Sequence, residues 1–401
     1  MIFRKPPVIT DPVRVDELLS RGVEAVYPST DWLRAELLSG RRLRLYTGWD
    51  PTSADVHIGH TAWMWKLRAF QELGHEVIVL LGTFTAMIGD PTGKADARKP
   101  LTRKQVSDHA KRVGDKFRKI FTVPGNPISV RMNHTWLGVL TFEDVVALSS
   151  HFTVQQMLER DMFDLRMKEG RPIHLHEFLY PLMQGFDSVA LDVDLEVGGN
   201  DQTFNMLAGR TLLKQMKGKE KGVMTLALIT DASGRKLGKS EGNAINIDLE
   251  PGDLYGKVMT LSDDVIWQTF VQCTPLPLER IASLRAELES DPRRAKAKLA
   301  WELVALYHTS AAADVAEQEF VRVFAQKEIP DVMPAFDVRT PMGLIDVLVE
   351  TKMCASKGDA RRQIEQGGVR LNGRVVHDVQ ARAEAGVLQK GKRHFVRLIV
   401  R

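Results

Sequence analysis

The segment "EVIVLLG", Glu76 to Gly82, carries apolar residues at successive positions rather than at alternate ones. A strand with that pattern hides both faces, as strands of a parallel sheet do beneath covering helices. Upstream, "LRLYTGWD" reads as another strand running into a loop. After Gly59 the spacing is helical, with Met64, Leu67 and Leu73 broadly on one side and Gly74 as the stop. Strand, helix and strand in this order form a right-handed crossover unit. "ALDVDLEVGG" and "VMTLALI" read as further strands of the same sheet. The pattern therefore predicts a Rossmann-like, open parallel α/β nucleotide-binding domain over residues 41 to about 235. A helical insertion near 135–190 contains "FTVQQMLERDMFDLRMKEG", whose spacing suits a packed helix.

The flanks read differently. Residues 12–40 look helical, with stops at Gly22 and Gly40 and a cap at Ser29 or Thr30. From Pro251 to about Gln326 the pattern is almost entirely helical, and Asp291-Pro292 marks one helix start there. "EIPDVMPAFDVRTPMG", with Pro330, Pro334 and Pro341 as breakers, is a linker candidate before a small α+β unit. The expected organisation is thus a first domain over 1–250, a helical domain over 251–328, a linker over 329–342 and a terminal domain over 343–401. A chain of 401 residues is longer than one hydrophobic core usually covers.

Bulk composition excludes more than it identifies. The net charge of +4 is too small to name a partner, although basic residues gather in the last third. Cys273 and Cys354 are far apart and share no metal-ligand spacing, so a reduced, cytoplasmic setting is expected. The N-terminal residues lack a signal-peptide core, and "VIVLLGTFTAMIG" is too short to cross a membrane.

Three constellations carry chemistry. In "GWDPTSADVHIGH", His57 and His60 fall where a loop enters a helix, a place where free N–H groups attract phosphate. Gly59 lets a ligand approach the backbone there. A zinc site would need a third ligand with matching local spacing, and two histidines that merely cap or pack are a stronger competitor. In "GRKLGKSEGNAI", Lys236 and Lys239 with Gly238 and Ser240 make a cationic arm suited to a leaving pyrophosphate, with a solvated loop as the alternative. Near the C-terminus a short helix with Lys357, Arg361 and Arg362 leads through Gly367-Gly368 into a strand with Arg370 and an Asn-Gly turn. From Lys352 to Arg374, six basic residues face two acidic ones, the balance of an RNA-backbone surface. A solvated basic face is the competing account.

"HIGH" and "KLGKS", in this order, resemble the two signature motifs of class I aminoacyl-tRNA synthetases. Together with "YTGWDPTSADVHIGH", "MIGDPTGK", "YPLMQGFDS" and "VGGNDQTFN", they are similar to the bacterial tyrosyl-tRNA synthetase family over nearly the whole chain. The family's KMSKS string is KLGKS here, with both lysines and the serine kept. The resemblance implies that Thr52, His57, His60, Lys236 and Lys239 handle the phosphates and nucleotide, with Lys94 and Arg98 on a loop reaching pyrophosphate. It assigns ATP to Gly48, Gly59, Gly198, Asp201, Lys239 and Ser240. Tyr46 and Asp187 are implied to read the tyrosine hydroxyl. Asp90, Tyr180 and Gln184 are implied to take the ammonium, Gln202 to sit beside the carboxyl, and Asp50 and Thr85 to complete the amino-acid pocket. Tyr180, Gln184 and Asp187, at i, i+4 and i+7, share one helix face, although such a face alone is more often structural.

The same resemblance implies magnesium carried with ATP, no dedicated metal site and no inserted editing domain. It also implies tRNA held by the helical domain and by an S-four-like RNA-binding module with Lys357, Arg361, Arg362 and Arg370, and a homodimer joined through the insertion. Three rivals differ from this reading. A tryptophanyl-tRNA synthetase is disfavoured by Tyr46, Asp187 and the terminal module. A cofactor-making HxGH nucleotidyltransferase is disfavoured by KLGKS and that module. A non-catalytic RNA-binding paralogue would be expected to have lost part of HIGH or KLGKS.

Overall fold

The computed structural model describes residues 6–90, 101–159, 161–238, 242–322, 333–338, 342–391 and 394–400. The chain forms two compact units, Met1–Ser310 and Ala311–Arg401. The first is built on six strands: β1 (Val23–Tyr27), β2 (Arg44–Trp49), β3 (Glu76–Leu81), β4 (Ser129–Met132), β5 (Leu195–Gly199) and β6 (Gly222–Leu226). Their order is β1-β6-β5-β2-β3-β4, and β1 alone runs antiparallel to its neighbour. From β2 the chain winds outward to β3 and β4, then returns to place β5 and β6 on the other side of β2. The gap above the carboxyl ends of β2 and β5 is therefore a topological switch point, where open α/β sheets leave a crevice.

β1 departs from the helical reading of residues 12–40. Gly22, at φ 63°, ends helix Pro12–Ser20. The following "VEAVY" pairs with β6, and Ser29 then caps helix Thr30–Leu38 through its contact from Trp32 N. Sheet pairing here overrides an amphipathic pattern, because the β-branched residues complete an edge. "ALDVDLEVGG" is likewise shared between elements. Helix Leu175–Leu191 runs through its first part, Asp192 at φ 51° terminates it, and only Leu195 onward is strand. The insertion segment forms two short helices, Val154–Leu158 and Asp161–Lys168, in place of one.

Helices Pro251–Val258, Ile266–Cys273, Leu278–Leu288 and Pro292–Tyr307 belong to the first unit, which matches the helical pattern of that stretch. In the second unit, part of the expected linker is ordered: Ala335–Val338 is a strand, β7, parallel to β11 (His394–Val400). The sheet order is β7-β11-β10-β8-β9, with β8 Val369–Leu371, β9 Arg374–Val375 and β10 Gly386–Lys390. Asn372 and Gly373 have φ of 51° and 81°, the left-handed pair that a two-residue hairpin requires. Leu344, Leu348, Ile364, Val369 and Leu388 fill this unit's own core. Among the described residues no helix is long and apolar enough to cross a membrane.

Candidate active site

A cavity of about 930 Å³ occupies the switch point. Most of the described residues singled out in the sequence meet on its wall: Gly48, Asp50, Thr52, His57, Gly59, His60, Thr85, Asp90, Tyr180, Gln184, Asp187, Gly198, Asp201, Gln202 and Lys236. Lys94, Arg98, Lys239 and Ser240 lie outside the described residues. Lys357, Arg361, Arg362 and Arg370 are exposed on the second unit.

His57 occupies the cap position of helix Ile58–Glu72, and its backbone N–H donates to His60 Nδ1 at 3.3 Å. With Nδ1 accepting, the proton of a neutral His60 resides on Nε2. The two rings stack at 3.4 Å, and Trp49 lies edge-on to His60 at 4.4 Å. The histidines thus cap and stack while still bordering the cavity. Among the described residues no cluster of three or more His, Cys, Asp or Glu could hold a metal ion. Gly59 is required sterically, because a Cβ there would lie 2.6 Å from the Leu237 carbonyl. The lysine-bearing loop is fastened to this helix start. Ile58 N bonds Ile245 O at 2.9 Å, and Asn243 joins Gly238 N to Lys236 O. Lys236 pairs with Asp201 at 3.0 Å.

The opposite wall is anionic. Tyr180 donates its hydroxyl to Asp50 Oδ2 at 2.7 Å, while Thr85 donates to Asp50 Oδ1 at 2.6 Å. Gln202 Nε2 donates to Asp90 Oδ2 at 2.8 Å, and Asn205 fixes that amide by donating to its oxygen. Burial, together with Asp50 and Asp90, pushes the Tyr180 phenol well above its ordinary range, so it stays a protonated donor. Asp187 accepts from Trp136 Nε1 at 2.7 Å and from Asn133 Nδ2 at 3.3 Å. Burial drives its carboxyl well above the usual carboxylate range, against the opposing pull of these two donors.

Tyr46 lies in β2 opposite Glu196 of β5. It is fully buried and shares a hydrogen bond of 2.9 Å with Ser188 Oγ. The alternation of β2 turns its ring toward helix Leu175–Leu191, where its hydroxyl meets Ser188. Several site residues were not anticipated: Trp136, Asn133, Ser188, Glu196 and Lys221. Asn133 and Trp136 follow directly after β4, at the sheet end where functional loops collect, and that position was the available signal.

Gly82 is the closest fit at the site. A Cβ at this position would lie 1.9 Å from Asp50 Oδ1 and 2.4 Å from Thr85 Oγ1. Gly82→Ala should therefore displace Asp50 from Tyr180 and cost about 1–3 kcal/mol of stability. Thermal melting and substrate titration check this. An alanine variant with unchanged melting and unchanged amino-acid affinity would contradict the described packing.

Comparison with known proteins agrees with this geometry. Residues 38–325 match the family described as tRNA synthetases class I (W and Y), and residues 325–398 match the tyrosine–tRNA ligase SYY-like C-terminal domain. A tyrosine–tRNA ligase of Haemophilus ducreyi is 44% identical over 388 residues, covering 96% of this chain and 97% of the relative. Tyrosine–tRNA ligase 2 of Vibrio parahaemolyticus is 43% identical, covering 96% and 98%. The solved structure of a C-terminally truncated mitochondrial tyrosyl-tRNA synthetase from Coccidioides posadasii superposes with a TM-score of 0.62 at 29% identity, over 76% of this chain and 91% of that one. With matches of this extent in both sequence and fold, the chain belongs to the tyrosine–tRNA ligase family of class I tRNA synthetases.

Proposed function

We propose that the chain activates L-tyrosine with magnesium-bound ATP and then esterifies the terminal adenosine of tRNA(Tyr) with the tyrosyl group. In the first step a tyrosine carboxylate oxygen bonds to the α-phosphorus and the bond to pyrophosphate breaks. In the second, a ribose hydroxyl of the tRNA attacks the acyl carbon and AMP leaves. A carboxylate is already a nucleophile, so the first step needs placement and charge stabilisation more than a general base.

One observation carries this reading: a single cavity has an anionic wall at one side and a helix start with a lysine loop at the other. Asp90, Asp50, Tyr180 and Gln184 suit an ammonium, and Gln202 suits the neighbouring carboxyl. Tyr46 and Asp187 suit the phenol hydroxyl at the far end. Phenylalanine would leave the buried Asp187 without that partner, a loss of about a hundredfold or more in relative binding. Thr52, His57, His60 and Lys236 suit the phosphates and nucleotide. Lys94, Arg98, Lys239 and Ser240 are assigned there from their motifs alone. Asp201, assigned to the ribose, now holds Lys236, so ATP would separate the two and free the lysine for pyrophosphate. Magnesium arrives with the phosphates.

The insertion carries exposed apolar side chains, with Phe142 84%, Leu175 78% and Val139 74% exposed. Exposed apolar side chains suit a partner copy, and a homodimer through the insertion is the reading they support. The expected setting is the cytoplasm.

Tyrosine-dependent ATP–pyrophosphate exchange is the test of activation. Exchange with tyrosine and none with tryptophan is expected; exchange driven by tryptophan instead would overturn the substrate assignment. For the RNA role, Arg361→Glu with Arg362→Glu should leave exchange intact but raise the KM for tRNA in charging about tenfold or more at low salt. Charging unchanged by the double substitution would remove this helix from tRNA binding.

A further inference from the structure

Beneath the ammonium side of the cavity lies an ion pair with no direct place in the proposed chemistry. Lys221, immediately before β6, and Glu196, in β5, are both shut off from solvent, and Lys221 Nζ donates to Glu196 Oε2. Lys221 also donates to Ser188 Oγ at 2.8 Å, and Ser188 donates to the same Glu196 oxygen at 3.3 Å. Space for this cluster is reserved by Gly209, where a Cβ would lie 2.6 Å from Ser188 Oγ and 2.7 Å from Lys221 Nζ. The second Glu196 oxygen, Oε1, accepts from Gln184 Nε2 at 3.0 Å. Glu196 and Gln184 both border the cavity.

The polarity of this chain of contacts is fixed by chemistry. A lysine ammonium can only donate, and an ionised carboxylate can only accept. Glu196 therefore demands the NH₂ end of the Gln184 carboxamide, which leaves the carbonyl Oε1 as the amide atom for the cavity. A carboxamide is otherwise nearly symmetric in shape and could present either end. An NH₂ turned toward a substrate ammonium would set donor against donor.

We propose that the buried Lys221–Glu196 pair is a positioning device that sets which end of Gln184 faces the cavity, making it an acceptor for the ammonium of the amino-acid substrate. This rests on the tyrosine reading above. Glu196 and Lys221 act here as positioning residues, working on the substrate ammonium through Gln184. Replacing Glu196 by glutamine should reverse the relay. Lys221 would claim the new amide's oxygen, its NH₂ would point at Gln184, and Gln184 would turn its own NH₂ into the cavity.

The experiment compares tyrosine with 3-(4-hydroxyphenyl)propanoate, which keeps the phenol and the carboxylate but lacks the ammonium. In Glu196→Gln, the KM for tyrosine in ATP–pyrophosphate exchange should rise about tenfold or more, far more than kcat changes, with the KM for ATP constant. The inhibition constant of the ammonium-free analogue should stay within about twofold of the parent. Should Glu196→Gln not fold, Glu196→Asp keeps a carboxylate on Lys221 while withdrawing the oxygen from Gln184, and the same split is expected. Equal weakening of both compounds would assign the pair a purely structural role and overturn the proposal, as would tyrosine kinetics unchanged in either folded variant. A parent enzyme unable to activate tyrosine would instead refute the underlying reading, an outcome separate from these.

Discussion

The parallel neighbours β2 and β5 leave the sheet in opposite directions, and the crevice above their carboxyl ends governs everything else in the first unit. From β2 the chain passes through Gly48 and Asp50 into the helix start bearing His57 and His60. From β5 it passes through Gly198 and Gly199 to Asp201 and Gln202. Two peptide segments distant in sequence thus deliver backbone, carboxylate and imidazole groups to one point. Lower in the same two strands, Tyr46 and Glu196 are cross-strand partners, so the buried polar cluster is anchored at the same divide.

Helix Leu175–Leu191 borders this divide and carries Tyr180, Gln184 and Asp187 on the cavity wall. Its close approach to helix Thr203–Lys217 depends on small residues. A Cβ on Gly185 would lie 2.8 Å from Leu212 Cδ1 and 3.2 Å from Gly209 N. Such proximity lets Ser188, Lys221 and Glu196 share one sealed space. Burying a charge pair is costly, and desolvation draws the lysine below its ordinary range despite the carboxylate beside it. An apolar pair could fill that space at less cost, but it could not dictate the orientation of Gln184. Holding a functional amide in one of two nearly isosteric states is a reason to keep charge there.

Much of this was legible in the sequence, and the reasons differ by element. "EVIVLLG" announced a doubly covered strand because its side chains have no polar face to show. The HIGH and KLGKS motifs were legible because phosphate chemistry leaves few residue types able to do the work. β1 was hidden, since "VEAVY" becomes a strand only when β6 offers an edge. The partner of Tyr46 was hidden for a related reason: sequence spacing puts it beside the site, but only the fold brings its hydroxyl to Ser188. Lys221 was illegible altogether. In "KGKEKGVM" it looks like one more surface lysine, and only the sheet register brings it against Glu196.

A buried carboxyl group, that of Asp187, held by Trp136 and Asn133, is the group proposed to select an amino acid that carries a hydroxyl. The most direct test is the ratio of kcat/KM for tyrosine over phenylalanine in ATP–pyrophosphate exchange, measured for the parent and for Asp187→Asn. The expected result is a ratio that collapses by about a hundredfold or more in the variant, mainly through loss of tyrosine activation. A folded Asp187→Asn variant that discriminates as well as the parent would contradict the account.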